Sequence, residues 1–216
     1  MTSLVRYGVL ALLAGGLLPV AEARAETPRF EVTPFFGARL GGQFDVATTT
    51  GEEEESVDLD AGTGFGFDLG LYRDATGYYE LLYSRQGTSL DSDLPALQDV
   101  DIDVHYLHFG GTLLMPREDN WLVPYLSLTI GATLLEPQQG GYDSETKFSA
   151  SLGGGLRVPF NDNVFANLGL RGYLTFVESD TDLFCLSGPS GGSCLLRSSG
   201  STFMQGEASI GITVRF

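Results

Sequence analysis

Three features of the chain predict an all-β fold: an eight-stranded antiparallel up-and-down transmembrane β-barrel. The first is the terminal segment. Met204, Gly206, Ala208, Ile210, Ile212, Val214 and Phe216 share one parity; Gln205, Glu207, Ser209, Gly211, Thr213 and Arg215 share the other. A two-residue period puts one set on each face of a strand. One face is therefore small or apolar up to the final aromatic, and the other carries charge. The second feature is the opening of the chain. Arg6, an apolar run from Val9 to Val20 and the small-x-small triplet Ala23-Arg24-Ala25 read as an export signal over residues 1–25, leaving 26–216 as the mature barrel. The run is short for a spanning helix, which needs about 20 apolar residues, and no later stretch is long enough. A membrane form must therefore cross with strands. The third feature is that connections alternate between short and long, as the barrel of an outer membrane requires.

The first strand is expected over Arg29 to Leu40. Phe30, Val32, Pro34, Phe36 and Ala38 lie opposite Glu31, Thr33, Phe35, Gly37 and Arg39. Pro34 cannot donate to a ladder, which suggests a bulge or the barrel rim. The second, Gly62 to Arg73, sets Phe65, Phe67, Leu69 and Leu71 against Gly66, Asp68, Gly70 and Tyr72. After the turn Asp74 to Gly77, the third strand, Tyr78 to Gly87, opposes Tyr79, Leu81 and Tyr83 to Glu80, Ser84 and Gln86. The fourth, Val100 to Met115, is ambiguous. Val100, Ile102, Val104 and Tyr106 oppose Asp101, Asp103 and His105, but both parities then turn apolar, and a bulge that switches the face is one solution.

The fifth strand, Trp121 to Leu135, points Leu126, Leu128, Ile130, Ala132 and Leu134 outward and Tyr125, Ser127, Thr129 and Thr133 inward. The sixth, Lys147 to Phe160, has Phe148, Ala150, Leu152, Gly154, Leu156, Val158 and Phe160 outward and Ser149, Ser151 and Arg157 inward. The seventh, Val164 to Val177, repeats the pattern with Leu168, Leu170 and Phe176 outward and Asn167, Arg171 and Tyr173 inward. Leu152, Leu168, Leu170 and Ile210 are expected to face lipid. Trp121, Tyr125, Phe160, Phe176 and Phe216 fall near strand ends, where interfacial girdles sit.

Composition narrows the function. The formal net charge of −16 makes nucleic acid an improbable partner, since phosphate contact needs clustered Lys and Arg. Most acids lie in the long connections 41–61, 88–99, 136–146 and 178–201. Solvated loops explain them. Divalent-cation binding is the sharper alternative, but no segment has the spacing of a dedicated calcium loop. Cys185 and Cys194 flank a turn-prone spacer, and with an export signal they suggest a disulfide. Inward parity would gather Glu31, Arg39, Asp68, Glu80, Arg157, Arg171, Glu207 and Arg215 in the lumen. In a small barrel such charges must pair, and a polar plug is the expected outcome. A narrow solute path is the alternative.

His105 and His108 lie three positions apart, so their parities differ, and neither a metal pair nor a catalytic pair is expected of them. No phosphate loop and no nucleophile elbow occur. No cofactor, metal or catalytic residue is therefore expected.

The leader, the opening strand Phe35-Phe36-Gly37-Ala38-Arg39-Leu40-Gly41-Gly42, the alternating loops and the terminal Phe216 together resemble the eight-stranded outer-membrane β-barrel proteins of Gram-negative bacteria, the OmpA/OmpX-like porin family. The resemblance covers 26–216 and implies a barrel domain alone, with no peptidoglycan-binding domain after it. It implies an outer-membrane location, extracellular long loops, both termini in the periplasm, and a monomer. Implied partners are outer-membrane lipid, lipopolysaccharide and the barrel-assembly machinery, with Phe216 as the assembly signal. It implies a structural or surface-interaction role. Lipid A-modifying enzymes resemble the same scaffold and use a His, Ser and acid set on the barrel exterior. Here the position two residues after His105 is Leu107, where that set has its serine.

Overall fold

A computed structural model describes residues 30–47, 54–59, 61–91, 101–116, 121–138, 143–177, 181–186, 193–198 and 202–216. The leader lies outside these residues. Among the described residues there are twelve strands: β1 (Phe30–Leu40), β2 (Gln43–Ala47), β3 (Glu54–Leu59), β4 (Gly62–Asp74), β5 (Gly77–Asp91), β6 (Asp101–Leu114), β7 (Val123–Pro137), β8 (Glu145–Pro159), β9 (Val164–Phe176), β10 (Thr181–Leu186), β11 (Ser193–Ser198) and β12 (Thr202–Arg215). Eight of them form the closed antiparallel ring β1-β4-β5-β6-β7-β8-β9-β12, with β12 returning to β1. Each wall strand follows its neighbour through a short turn or a long loop, so the fold is the predicted up-and-down barrel.

The ring is strongly staggered. The paired row Phe30, Leu71, Tyr79, Gly111, Leu128, Leu152, Gly172, Gly206 returns to β1 at Leu40, ten residues above its start. Such a shear tilts the strands and sets the width of a barrel whose interior side chains can fill. The short-turn end is pinned by local bonds. The Thr76 amide and hydroxyl donate to Asp74 Oδ1 at 2.8 and 2.9 Å, and Asn161 Oδ1 accepts from the amides of Asn163 and Val164, both at 2.9 Å.

Four strands lie where loops were expected. β2 and β3 fall in the connection 41–61, and β10 and β11 in 178–201. They prolong the wall. The β1–β4 register, with Arg39 opposite Gly62, continues unchanged to Gln43 opposite Asp58 in β2–β3. Gly41 and Gly42, with φ of 78° and 120°, make the break between β1 and β2, a backbone shape that glycine adopts without a Cβ clash. β10 and β11 lie between β9 and β12 in the chain and pair with a register moved by one residue from theirs, and β11 joins β2 through Ser198 and Val46.

The face assignments hold in seven wall strands. Leu152, Leu168, Leu170 and Ile210 point outward, 59%, 49%, 70% and 61% exposed. In β6, whose facing the sequence left open, the face-switching bulge offered as one solution is absent. Its register with β5 runs without a shift from Gly77↔Leu113 to Ser89↔Asp101. Ile102, Val104 and Tyr106 therefore share the inward face with His108 and Thr112. Direction never changes along β6; the polarity of its surroundings does. Leu107, Phe109 and Leu113 are exposed on its outer face, and Asp103 and His105 continue that face upward beside Arg85 and Glu136.

Two smaller expectations also fail. Pro34 sits neither at a bulge nor at the rim. It pairs with Phe67 in β4, while the β12 ladder passes from Val32↔Val214 to Phe35↔Gly211 with no change of register. The missing N–H interrupts the ladder locally without shifting it. Tyr125 belongs to the lumen and not to a girdle, with its ring 5.4 Å from the Arg157 guanidinium carbon. Trp121, Phe160, Phe176 and Phe216 are exposed near strand ends as expected.

Candidate functional site

The inward faces gather charge into three levels. At the short-turn end, Arg157 clasps Glu31 with two bonds: Nη1 to Oε2 at 3.0 Å and Nη2 to Oε1 at 2.7 Å. Arg157 Nη2 also donates to the Tyr78 hydroxyl. Tyr72 donates to Glu31 Oε2 at 2.5 Å and accepts from Arg215 Nη2 at 2.5 Å. Arg215 lies over the rings of Tyr72 and Phe165, at 4.8 and 4.6 Å. A bidentate guanidinium–carboxylate pair with phenol partners is what a buried ion pair needs in order to offset its desolvation.

In the middle, Arg171 Nη2 donates to Glu80 Oε1 at 2.6 Å, Thr112 donates to the other Glu80 oxygen, and Arg171 Nη1 donates to Ser151 at 3.0 Å. His108 bonds Thr129 at 3.0 Å and Ser149 at 2.8 Å. Higher, Arg39 donates to Glu207 Oε2 from Nε at 3.2 Å and Nη2 at 2.5 Å, and also to Ser84. The Arg39 guanidinium lies 4.9 and 5.0 Å from the ring centroids of Tyr106 and Tyr173, which stack on each other at 4.0 Å.

Seven of the eight lumen charges expected from sequence thus meet as partners: Glu31 with Arg157 and Arg215, Glu80 with Arg171, and Glu207 with Arg39. Asp68 does not join an ion pair; its Oδ1 is buried without a hydrogen-bond partner among the described residues. It lines a cavity of about 40 Å³ together with Thr33, Tyr78, Tyr125, Arg157, Asn167 and Arg171. The small residues facing the lumen make room for the rest. A Cβ on Gly66 would lie 2.5 Å from the Phe35 ring.

Sequence reasoning named the charges and placed Tyr72, Tyr125 and Tyr173 on their face, but it did not pair the rings with the charges and did not assign Tyr78 and Tyr106 to the lumen. Tyr72, Tyr78, Tyr106, Tyr125 and Tyr173 share the inward parity of the charged residues, so strict parity was the available signal. The outer wall holds a second polar set that it also missed. The Tyr83 hydroxyl bonds His105 Nδ1 at 3.0 Å, and His105 Nε2 lies 3.6 Å from Glu136. Arg85 pairs with Asp103 at 2.6 Å, and Gln138 donates to the same carboxylate. His105 faces out and His108 in, so the two cannot share a ligand. No group of three or more metal-type ligands occurs among the described residues. The cysteine side chains and most of the loop acids expected as cation ligands lie outside the described residues; of the acids that are described, Glu145 pairs with Lys147 at 3.1 Å, and the Cα positions of Cys185 and Cys194 stand directly opposite each other across β10–β11.

Several solved structures share this architecture. Neisserial surface protein A is 15% identical, with a TM-score of 0.58 over 87% of this chain and 97% of its own. The outer membrane protein AlkL, determined in lipid bilayers, is 14% identical, with a TM-score of 0.60 over 98% and 97%. OprG from Pseudomonas aeruginosa is 13% identical, with a TM-score of 0.58 over 88% and 96%. At such identities the likeness establishes the fold alone. No curated protein sequence matches the chain. The outer membrane protein beta-barrel domain matches residues 10–216, nearly the whole chain. With its closed eight-stranded wall, its apolar exterior and its charged interior, the chain belongs to the outer membrane protein beta-barrel family.

Proposed function

We propose that this outer-membrane barrel is a monomeric, non-enzymatic surface protein whose lumen is closed by its own side chains and whose working face is the long-loop end. The observation that carries the reading is the lumen itself. Three ion pairs span it, and Glu31, Arg39, Glu80, Arg157 and Glu207 are each at most 5% exposed. A path for solutes would have to break them.

The long-loop end supports the other half of the reading. Residues 41–61, 88–99, 136–146 and 178–201 hold sixteen acidic side chains and one arginine, so nearly all the net charge sits there. β2, β3, β10 and β11 carry the wall upward into the same region. An acidic loop end suits contact with a partner or with cation-bridged lipopolysaccharide at the cell surface, with both termini in the periplasm. Neisserial surface protein A, whose name places it at a surface, shares the scaffold.

A second reading, lipid modification, has one observation in its favour: the Tyr83–His105–Glu136 line on the outer wall. It offers a phenol where the lipid A-modifying scaffold uses a serine, and the imidazole–carboxylate distance exceeds a hydrogen bond, so it ranks second.

One pair of measurements separates the readings. The refolded barrel is placed in a planar bilayer for single-channel recording, and lipid A is profiled from cells with and without the protein. The expected result is no conductance steps and an unchanged lipid A profile. Steps would establish a channel, and an altered profile would establish the enzyme.

A further inference from the structure

The apolar outer face is not equally tall all round the barrel. On β8, β9 and β12 it passes through seven small or apolar outward positions, from Phe148 to Phe160, from Val164 to Phe176 and from Met204 to Phe216. On β4 it has four, Phe65 to Leu71, and on β5 three, Tyr79 to Tyr83. The long runs cover thirteen residues of strand, the short ones seven and five. A strand that spans a bilayer needs about 9–11.

Polar side chains end the short runs. One paired row crosses their upper edge: Phe65, Arg85, His105, Leu134 and Thr146, on β4 to β8. The ten-residue stagger lifts a row by slightly more than one residue per strand. The level of His105 on β8 is therefore Phe148, two residues below Thr146. Phe148 is 56% exposed and still part of the apolar face. On the other side of the barrel that same level holds His105 and, beside it, the Arg85–Asp103 pair, with the Arg85 side chain 40% exposed and Glu136 just above. At the lower edge β4 turns Arg73 outward two residues after Leu71, and its side chain is 60% exposed. Tilting the barrel does not reconcile the two sides. A tilt trades height at one edge for height at the other, and the short side would then need more apolar wall below Leu71, where Arg73 stands.

We infer that the β4–β5 side is a docking surface for lipid headgroups, at which both leaflets dip toward each other and the hydrocarbon layer thins. The inference goes beyond the lumen reading and does not depend on it. Charge in hydrocarbon is costly, and a short apolar run is met by a thinner bilayer, by long side chains reaching the interface, or by oligomerising. An exposed arginine bounds this side at each edge, and its stem lies along the wall while its guanidinium stays among water and headgroups. A protein partner would have to desolvate both arginines. Asp103 and Glu136 beside Arg85 and His105 give the upper edge both signs of charge, which suits a hydrated headgroup layer and not a single bound anion.

The test places single tryptophans in a Trp121→Phe background of the refolded full-length chain, with β-structure verified by circular dichroism. The vesicles carry bromine either near the carbonyl end or near the methyl end of the acyl chains. Phe65→Trp sits on β4, Ala150→Trp on the opposite wall, and Leu71→Trp at the lower edge of β4. Four strands on from Phe65 the row has risen to Thr146, so by the same stagger Ala150 stands slightly above the level of Phe65. A flat bilayer would make Phe65→Trp the deeper of the two. The expected order is the reverse: Phe65→Trp should be the shallower by about 5 Å, the height of two residues of tilted strand. Leu71→Trp should be shallow as well, against the other headgroup layer. Adding Arg85→Leu, Asp103→Leu and His105→Leu to Phe65→Trp should move its tryptophan deeper. Phe65→Trp found deeper than Ala150→Trp overturns the inference. A shallow Phe65→Trp with a deep Leu71→Trp also overturns it, in favour of a tilted barrel. Phe65→Trp fluorescence that neither bromine quenches overturns it in favour of a protein partner on that side. So does a refolded triple variant whose tryptophan stays at the same depth.

Discussion

Arg39 shows what a guanidinium needs in order to sit inside this barrel. It has a carboxylate, a hydroxyl and two aromatic rings around it, and its side chain is fully buried. Removing one partner of such a pair leaves an uncompensated charge, which costs about 3–5 kcal/mol, whereas replacing both by apolar side chains is often neutral. Glu207→Ala should therefore destabilise the barrel by about 3–5 kcal/mol, and Arg39→Met/Glu207→Leu by clearly less. Denaturant titration of the three proteins in lipid checks this. The outer face obeys the opposite rule. Leu170 is 70% exposed and lies midway along β9. Leu170→Arg should cost about 2–4 kcal/mol at bilayer mid-depth. Asn167→Ala, on the lumen face, should lose about 1 kcal/mol with its bond to Thr213. The reverse order of stabilities would invert the faces of β9.

At the scale of elements, alternation made seven wall strands legible from sequence, because each keeps one environment on each side. β6 resisted for a physical reason. Its inner face runs from an apolar layer at Ile102 and Val104 to polar Thr112, while its outer face runs from Asp103 to Leu113. Neither parity is uniformly apolar, and a pattern read as a turn of the strand is a change of surroundings along a straight one. The upper hairpins were missed because their alternation is short and set among loop-type residues. Their register now sharpens one expectation. Cys185 and Cys194 are cross-strand neighbours in β10–β11, and directly opposite antiparallel residues have Cα atoms about 4.5–5.5 Å apart, within disulfide reach. The bridge should form on export and close a ten-residue segment, adding about 2–3 kcal/mol to local order in the chain-entropy description. Mass spectrometry of unreduced peptides should find the two cysteines linked. Two free thiols in protein taken from the envelope would rule the bridge out.

At the scale of the whole molecule, the ring closes where the two ends of the described chain meet. The Phe216 amide donates to the Phe30 carbonyl at 2.8 Å, and the Phe30 amide returns to Phe216 at 3.4 Å. The Phe216 ring itself is 68% exposed. Deleting Phe216 removes two backbone bonds at the rim and little buried area. The folded barrel should lose no more than about 2 kcal/mol, while assembly in cells should slow far more if the residue is read by the insertion machinery. Comparing refolding into lipid with surface levels in cells separates the two effects. Normal levels in cells beside failed refolding would make Phe216 a packing residue. Every proposal about the lumen and the loops depends on one claim: the apolar parity faces lipid and the charged parity faces inward. The chain has a single tryptophan, Trp121, exposed at the short-turn end, so a second can be read alone. Leu170→Trp in a Trp121→Phe background, refolded into vesicles of lipid brominated at mid-chain, tests that claim directly. Bromine in the acyl chains should quench its fluorescence strongly, and aqueous iodide should not. Quenching by iodide with none by the brominated lipid would contradict the account.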